Sequence, residues 1–151
     1  MRGQKGFSLI ELLIVVAVIG IIAAIAVPNL LQSRAAANEA SAISSVRTIV
    51  TAQITFSATV GGGQYAANLG ALQAAGLIDQ ALGSGTKDGY NFASTGGGTT
   101  FTVTASPVTQ GTTGTRGFFS DQTGVIRFDN SGTATAGSTP LGGTAGGGGD
   151  D

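Results

Sequence analysis

Few of the side chains that ordinarily carry chemistry are present in this chain. Its 151 residues include no His and no Cys, and eight acids against seven bases leave a net charge of −1. Without Cys there is no disulfide, thiolate ligand or Cys nucleophile. Without His there is no imidazole base, His-ligated zinc or Ser-His-Asp arrangement. One acid has an unusual setting. Glu11 is the sole charge in the run Phe7 to Val27, FSLIELLIVVAVIGIIAAIAV. A carboxylate at the centre of a membrane helix costs roughly 2.5–3.5 kcal/mol on insertion scales, and such groups usually serve a function. Glu11 lies nearer the end than the centre, which lowers that cost. Asp88, Asp121 and Asp129 could together hold calcium, but they form no D-x-[DN]-x-[DN]-G ladder, and one Asp per turn is ordinary turn chemistry. The Gly clusters at 61–63, 83–85 and 96–98 precede no Lys-Ser/Thr and open no βαβ unit, so they read as loop punctuation. Neither a metal nor a cofactor is expected, and the parts of most enzymes are missing.

The elements that position these groups follow from where the apolar residues sit. The chain is 42% hydrophobic, only 10% charged, and contains 26 Gly, which is charge-poor and Gly-rich for a globular domain. Its length allows one domain of modest core. The net charge provides no footprint for nucleic acid. As a helix, Phe7 to Val27 would span about 30 Å, the thickness of a bilayer core. Arg2 and Lys5 precede the run and the next charge after Glu11 is Arg34. The positive-inside rule therefore puts the first six residues in the cytoplasm and the chain after Val27 outside. A secretory signal with Ala24-Ile25-Ala26 as its cleavage site is the first competing reading, but the run is too long for one and a carboxylate interrupts it. A plain single-span anchor is the second, and hydropathy alone does not reject it.

Beyond Pro28 the chain turns Ala-rich. Ile43, Val46, Val50 and Ile54 recur at helical steps, with Ile49 and Phe56 widening the stripe, and no Gly falls between Gly20 and Gly61. One helix over residues 7–60 is predicted, roughly 80 Å long, half for lipid and half amphipathic, with Pro28 as a kink. Gly61-Gly62-Gly63 ends it. Leu69 to Leu82 predicts one or two short helices broken at Gly76. Strands are predicted at Tyr90–Phe92, Thr100–Ala105, Gly117–Ser120 and Val125–Asp129, with a hairpin turn over Asp121–Gly124. The expected class is α+β, a long N-terminal helix packed on a small antiparallel sheet. Four segments result: 1–6, the helix 7–60, a head 61–129, and a Gly-rich flexible tail 130–151 with almost nothing to bury.

Gly6-Phe7-Ser8-Leu9-Ile10-Glu11, behind a short basic leader and ahead of a long apolar run and Pro28, resembles the class III signal of type IV pilins and type II secretion pseudopilins. The stretches GLIDQALGSGTKDGYNF and RGFFSDQTGVIRF also look like the head of some type IVa pilins. The resemblance implies a structural subunit, not an enzyme, with residues 1–6 as a leader. A prepilin peptidase would cut between Gly6 and Phe7 and methylate the Phe7 amine. The mature chain would then polymerise through its helix, Glu11 pairing with its own or a neighbour's Phe7 amine, and Gly20 to Pro28 would melt in the filament. Implied partners are further copies of the chain, the peptidase, and an assembly machine of inner-membrane platform, ATPase and secretin. The precursor would sit in the inner membrane and the product on the cell surface. A pseudopilin, or an uncleaved membrane-tethered adhesin, remains an alternative. The chain departs from the common pattern in having no Cys pair to clamp its last loop.

Overall fold

The computed structural model describes residues 6–143. The chain divides into two compact units between Arg34 and Ala35. A single helix, α1 (Leu9–Thr59), supplies all the regular structure of the first unit and the opening of the second. In the first unit every described residue through Gln32 is exposed, including Leu9, Ile14, Ile19, Ile22, Ile25 and Leu30. By length and composition this helix can cross a membrane. Pro28 stands inside it, lacking the N–H that would bond the carbonyl of Ala24.

The second unit packs the later part of α1 on a sheet. Gly62 and Gly63, both in the left-handed region, turn the chain after the helix. Two short helices follow, α2 (Leu69–Ala74) and α3 (Gln80–Gly83). Each opens on a side-chain cap, Asn68 accepting from the Ala71 N–H and Asp79 from the Leu82 N–H. Six antiparallel strands come next in meander order: β1 (Thr86–Lys87), β2 (Tyr90–Gly97), β3 (Thr100–Pro107), β4 (Gly117–Asp121), β5 (Arg127–Asp129) and β6 (Thr139–Pro140). Alternation along β2 and β3 sends Tyr90, Phe92, Phe101, Val103 and Ala105 into one core with Ala42, Val46, Ile49, Leu72, Leu82 and Phe118. The α+β architecture expected from the sequence is the one observed, with two strands more than the pattern had shown.

The buried stripe of α1 is rotated from the expected one. Ile54 is 52% exposed and Ile43 only half-buried, while Gln53 is fully buried. The cause is polar. Gln53 Nε2 donates to the Ala66 carbonyl (3.0 Å) and to Ser94 Oγ (2.9 Å), and its Oε1 accepts from the Ala66 N–H (2.8 Å). A buried amide so satisfied ties helix, loop and sheet together, and outweighs the apolar claim of Ile54.

The second departure concerns residues 130–143, expected to begin a flexible tail. They return to the head. Thr139 pairs with Phe128 and Pro140 with Arg127, the Leu141 N–H donates to the Ile126 carbonyl (2.7 Å), and Ala134 is buried. Phe119 is also buried, yet it and Ala134 lie outside the main core, because β4 turns Gly117 and Phe119 to the opposite face from Phe118. The Gly132 carbonyl lies against Gly117, where a Cβ would strike it. Thr144 to Asp151, the rest of the expected tail, fall outside the described residues, as do residues 1–5 of the leader.

Gly117→Ala should therefore cost about 1–3 kcal/mol by overpacking against backbone, and loosen residues 130–143 first. Hydrogen exchange of the Leu141 amide reads the local effect, and protection equal to wild type would contradict this packing. Gln53→Leu should destabilise the head by about 1–3 kcal/mol for each Ala66 group left without a partner. Denaturant unfolding of the two chains measures the difference.

Candidate functional site

The residues singled out in the sequence lie on the first unit. Gly6, Phe7 and Ser8 precede the helix in irregular backbone, and Phe7 is 89% exposed. Glu11 stands in the first turn of α1, and its Oε2 accepts from the Ser8 N–H at 2.9 Å. This is the carboxylate half of a capping box, which satisfies one of the donors that a helix start leaves open. The Ser8-x-x-Glu11 spacing ahead of an apolar run is its sequence signature, and the pattern reading passed over it. Gly6, Phe7 and Glu11 are thus neighbours at the start of α1. Gly20 and Pro28 lie farther along the same helix, which is unbroken through both. A Cβ on Gly20 would meet nothing in this chain, so internal packing does not demand glycine there.

A different carboxylate organises the second unit. Glu39 is buried on α1, and its Oε1 accepts from the backbone N–H of Thr115 (2.8 Å) and of Arg116 (3.1 Å). Its Oε2 accepts from Arg116 Nε at 2.7 Å. The Arg116 guanidinium also lies 5.7 Å from the Phe118 ring centre and 5.4 Å from that of Phe128. Alongside, Asn38 Nδ2 donates to the Thr113 carbonyl (2.8 Å) and the Tyr90 hydroxyl to the Arg116 carbonyl (2.8 Å). The loop between β3 and β4 is thereby stitched to the helix. Burial alone would raise the Glu39 pKa, but the Thr115 and Arg116 amides and the guanidinium outweigh it and hold the carboxyl below its ordinary value. Burial pushes the Tyr90 hydroxyl well above the usual phenol range, with the Glu39 charge adding to it. In the sequence Glu39 reads as a solvated helix residue, because its partners lie 76 and 77 positions away and leave no local signal.

Asp88, Asp121 and Asp129 occupy separate turns, where they accept from Ser41 Oγ, the Thr123 N–H and the Ser131 N–H respectively. Among the described residues no three His, Cys, Asp or Glu side chains are grouped so as to hold a metal ion.

The first unit thus presents an apolar helical run, Phe7 to Val27, whose one charge, Glu11, follows closely on the Gly6-Phe7 junction, and that N-terminus is of a recognisable kind. A family profile described as the prokaryotic N-terminal methylation motif matches residues 1–27. The type IV major pilin protein PilA of Myxococcus xanthus is 48% identical over 53 residues, 35% of this chain and 24% of that protein. The type IV wide pilus major component PilA4 of Thermus thermophilus is 62% identical over 39 residues, 26% of this chain and 30% of that one. A fimbrial protein of Pseudomonas aeruginosa is 52% identical over 52 residues, 34% of each chain. The resemblance to type IV pilins is borne out over this region, and the matches span between a quarter and about a third of the relatives' length. No solved structure matches the chain.

For Glu39 the sign of the pH effect is fixed by its lowered pKa. The stabilisation is fully present above the ordinary carboxylate value of 4.5 and is lost as pH falls through the depressed one. Glu39→Gln should cost about 2 kcal/mol at neutral pH, discounted for the partly exposed Arg116. The variant should also lose less stability than wild type between neutral pH and pH 3. Parallel urea-unfolding profiles at several pH values would contradict this linkage.

Proposed function

We propose that the chain is the structural subunit of a type IV pilus. It is made as a precursor, cut between Gly6 and Phe7, methylated on the Phe7 amine, and assembled through its N-terminal helix. The observation that carries this reading is the methylation motif over residues 1–27 lying on a helix whose apolar side chains find no cover in their own chain. A surface of that size is buried in lipid or against other copies. The named relatives are major pilins and fimbrial proteins, which favours a pilus over the shorter filament of a type II secretion pseudopilin. An uncleaved tethered adhesin would have no use for a Gly-Phe junction followed by a carboxylate one helical turn on. The role is structural rather than enzymatic. Partners are other copies of the chain, a prepilin peptidase, and the inner-membrane platform, ATPase and secretin of an assembly machine. The precursor lies in the inner membrane with its first residues in the cytoplasm, and the product is a surface filament.

Glu11 is the assembly residue in this scheme. Cleavage gives Phe7 a charged amine one residue before the Ser8 N–H that Glu11 accepts from. In an apolar filament core either charge alone is heavily penalised, while the pair is tolerable. Between neighbours, that pair also fixes axial register. Gly20 to Pro28 holds as helix in lipid, where open backbone groups are expensive. In the filament, adjacent chains shield that backbone and the segment extends, since Gly propagates a helix poorly and Pro28 has already removed one bond.

Intact-mass measurement of the sheared surface material should give a methylated chain beginning at Phe7. A mass beginning at Met1, or after Ala26, would exclude this processing. Glu11→Leu and Glu11→Gln should both insert and be cut, and both should yield few or no fibres. The Gln variant keeps an oxygen for the Ser8 N–H and loses only the charge, so abundant fibres from it would reduce Glu11 to a helix cap.

A further inference from the structure

Among the described residues the ion pairs are Glu39–Arg116 and Asp79–Lys87. Of the described arginines outside these pairs, Arg127 donates to the Ser138 carbonyl and Arg34 lies in the first unit, which leaves Arg47 in the head. It is exposed in the head portion of α1, and two open grooves meet at it. Val50, Val125, Ile126 and Leu141 line one flank, and Thr48 and Leu77 lie on the other. Three described acids of the head also lack a cation: Asp88, Asp121 and Asp129. Of these only Asp88 is exposed. Asp121 and Asp129 are half-buried and accept from the Thr123 and Ser131 N–H groups.

Asp88 is held outward by its turn. It and Gly89, with φ of 47° and 75°, are the two central residues between the paired Lys87 and Tyr90, a loop whose left-handed backbone suits Asp and Gly. Its Oδ2 accepts from Ser41 Oγ at 2.6 Å, which fixes the carboxylate beside α1. From Ser41 to Arg47 is six residues, or about two thirds of a turn beyond one full turn and ~9 Å along the axis. Among the described residues of the head, Arg47 on α1 has no acid partner and Asp88, held beside α1 by Ser41, has no cation, and the two lie at different heights along the helix and around different faces of it.

We propose that Arg47 of one copy pairs with Asp88 of a second, parallel copy, so that the groove around Arg47 receives the β1–β2 turn of its neighbour. Two different patches joined in this way make a heterologous contact, which propagates as an open helical array rather than closing as a dimer. The two levels set the axial stagger of the contact at ~9 Å. The proposal rests on the polymerisation reading and adds to it the charge that the head contributes to register. An exposed pair is worth little once, but it repeats at every subunit.

The test is made in the full chain, in cells. Arg47→Glu places two acids face to face and should lower fibre yield several-fold while the subunit accumulates normally in the membrane. Asp88→Asn, which the left-handed turn accepts, should lower it less. Combining Arg47→Glu with Asp88→Lys should recover fibres. The chain has no Cys, so a variant carrying Arg47→Cys and Asp88→Cys, treated in sheared fibres with a short bifunctional thiol reagent, should give a ladder of multimers. Fibres that form but yield no ladder would overturn the pairing and leave polymerisation standing. Wild-type cells without fibres would remove both. Wild-type fibre yield from Arg47→Glu at normal subunit level would also overturn it, and if that variant fails to accumulate the cross-link decides.

Discussion

An apolar helix surface that no other described residue covers is the constraint on which the rest of this structure depends. From Phe7 to Leu31 the large hydrophobic side chains are about half exposed or more. Burying each contributes about 1.5–3 kcal/mol, so the segment as a whole gains tens of kcal/mol when it leaves water. A domain of ordinary size is held by about 5–15 kcal/mol in total. Among the described residues nothing covers that surface. A bilayer core or a further apolar protein surface is the kind of surrounding that meets the demand.

The two carboxylates of α1 divide along the same line. Glu39 is met by two amides and a guanidinium of its own chain, so its charge closes the head and asks for nothing further. Among the described residues Glu11 receives one N–H, from Ser8, a neutral donor that brings no countercharge. In a low-dielectric setting a charge answered only by dipoles remains costly, and a cation brought to it gains what the amide cannot supply. One acid is answered by a cation of its own chain, while the other meets none among the described residues.

What could be read in advance was whatever lies within a few residues along the chain. The apolar run, the end of α1 just before Gly61 and the alternation of Phe101, Val103 and Ala105 are local patterns that stand where expected, and the Gly6-Phe7-Glu11 spacing is local in the same way. The misplacements are long-range. Helical period alone ranks Ile54 above Gln53 as a core residue, because the Ala66 and Ser94 partners that make Gln53 buriable belong to a loop and a strand. Glu39 reads as a solvated charge for the same reason. Residues 130–143 read as a tail because Gly, Ser and Thr offer little apolar surface. Their hold on the head comes instead from backbone fit against Gly117, which composition does not register.

That fit shows how the end of the head is fastened in a chain without Cys. β6 adds two paired residues, Arg127 Nη1 donates to the Ser138 carbonyl at 3.0 Å, and Gln110 Nε2 donates to the Asn130 carbonyl at 3.1 Å. Ala134 and Leu141 contribute the apolar part. Each such bond is worth only about 0.5–1.5 kcal/mol net, comparable to the cost of ordering a single residue. No one of them can hold a fourteen-residue return. They hold as a set, and the set depends on the chain lying close enough for all of them at once. Gly117 is what allows that approach, because any side chain there would lift the Gly132 backbone off the sheet. A covalent clamp would tolerate such a lift, since the bond persists when local packing loosens. A fastening built from close approach does not, so the smallest residue of β4 governs the far end of the fold.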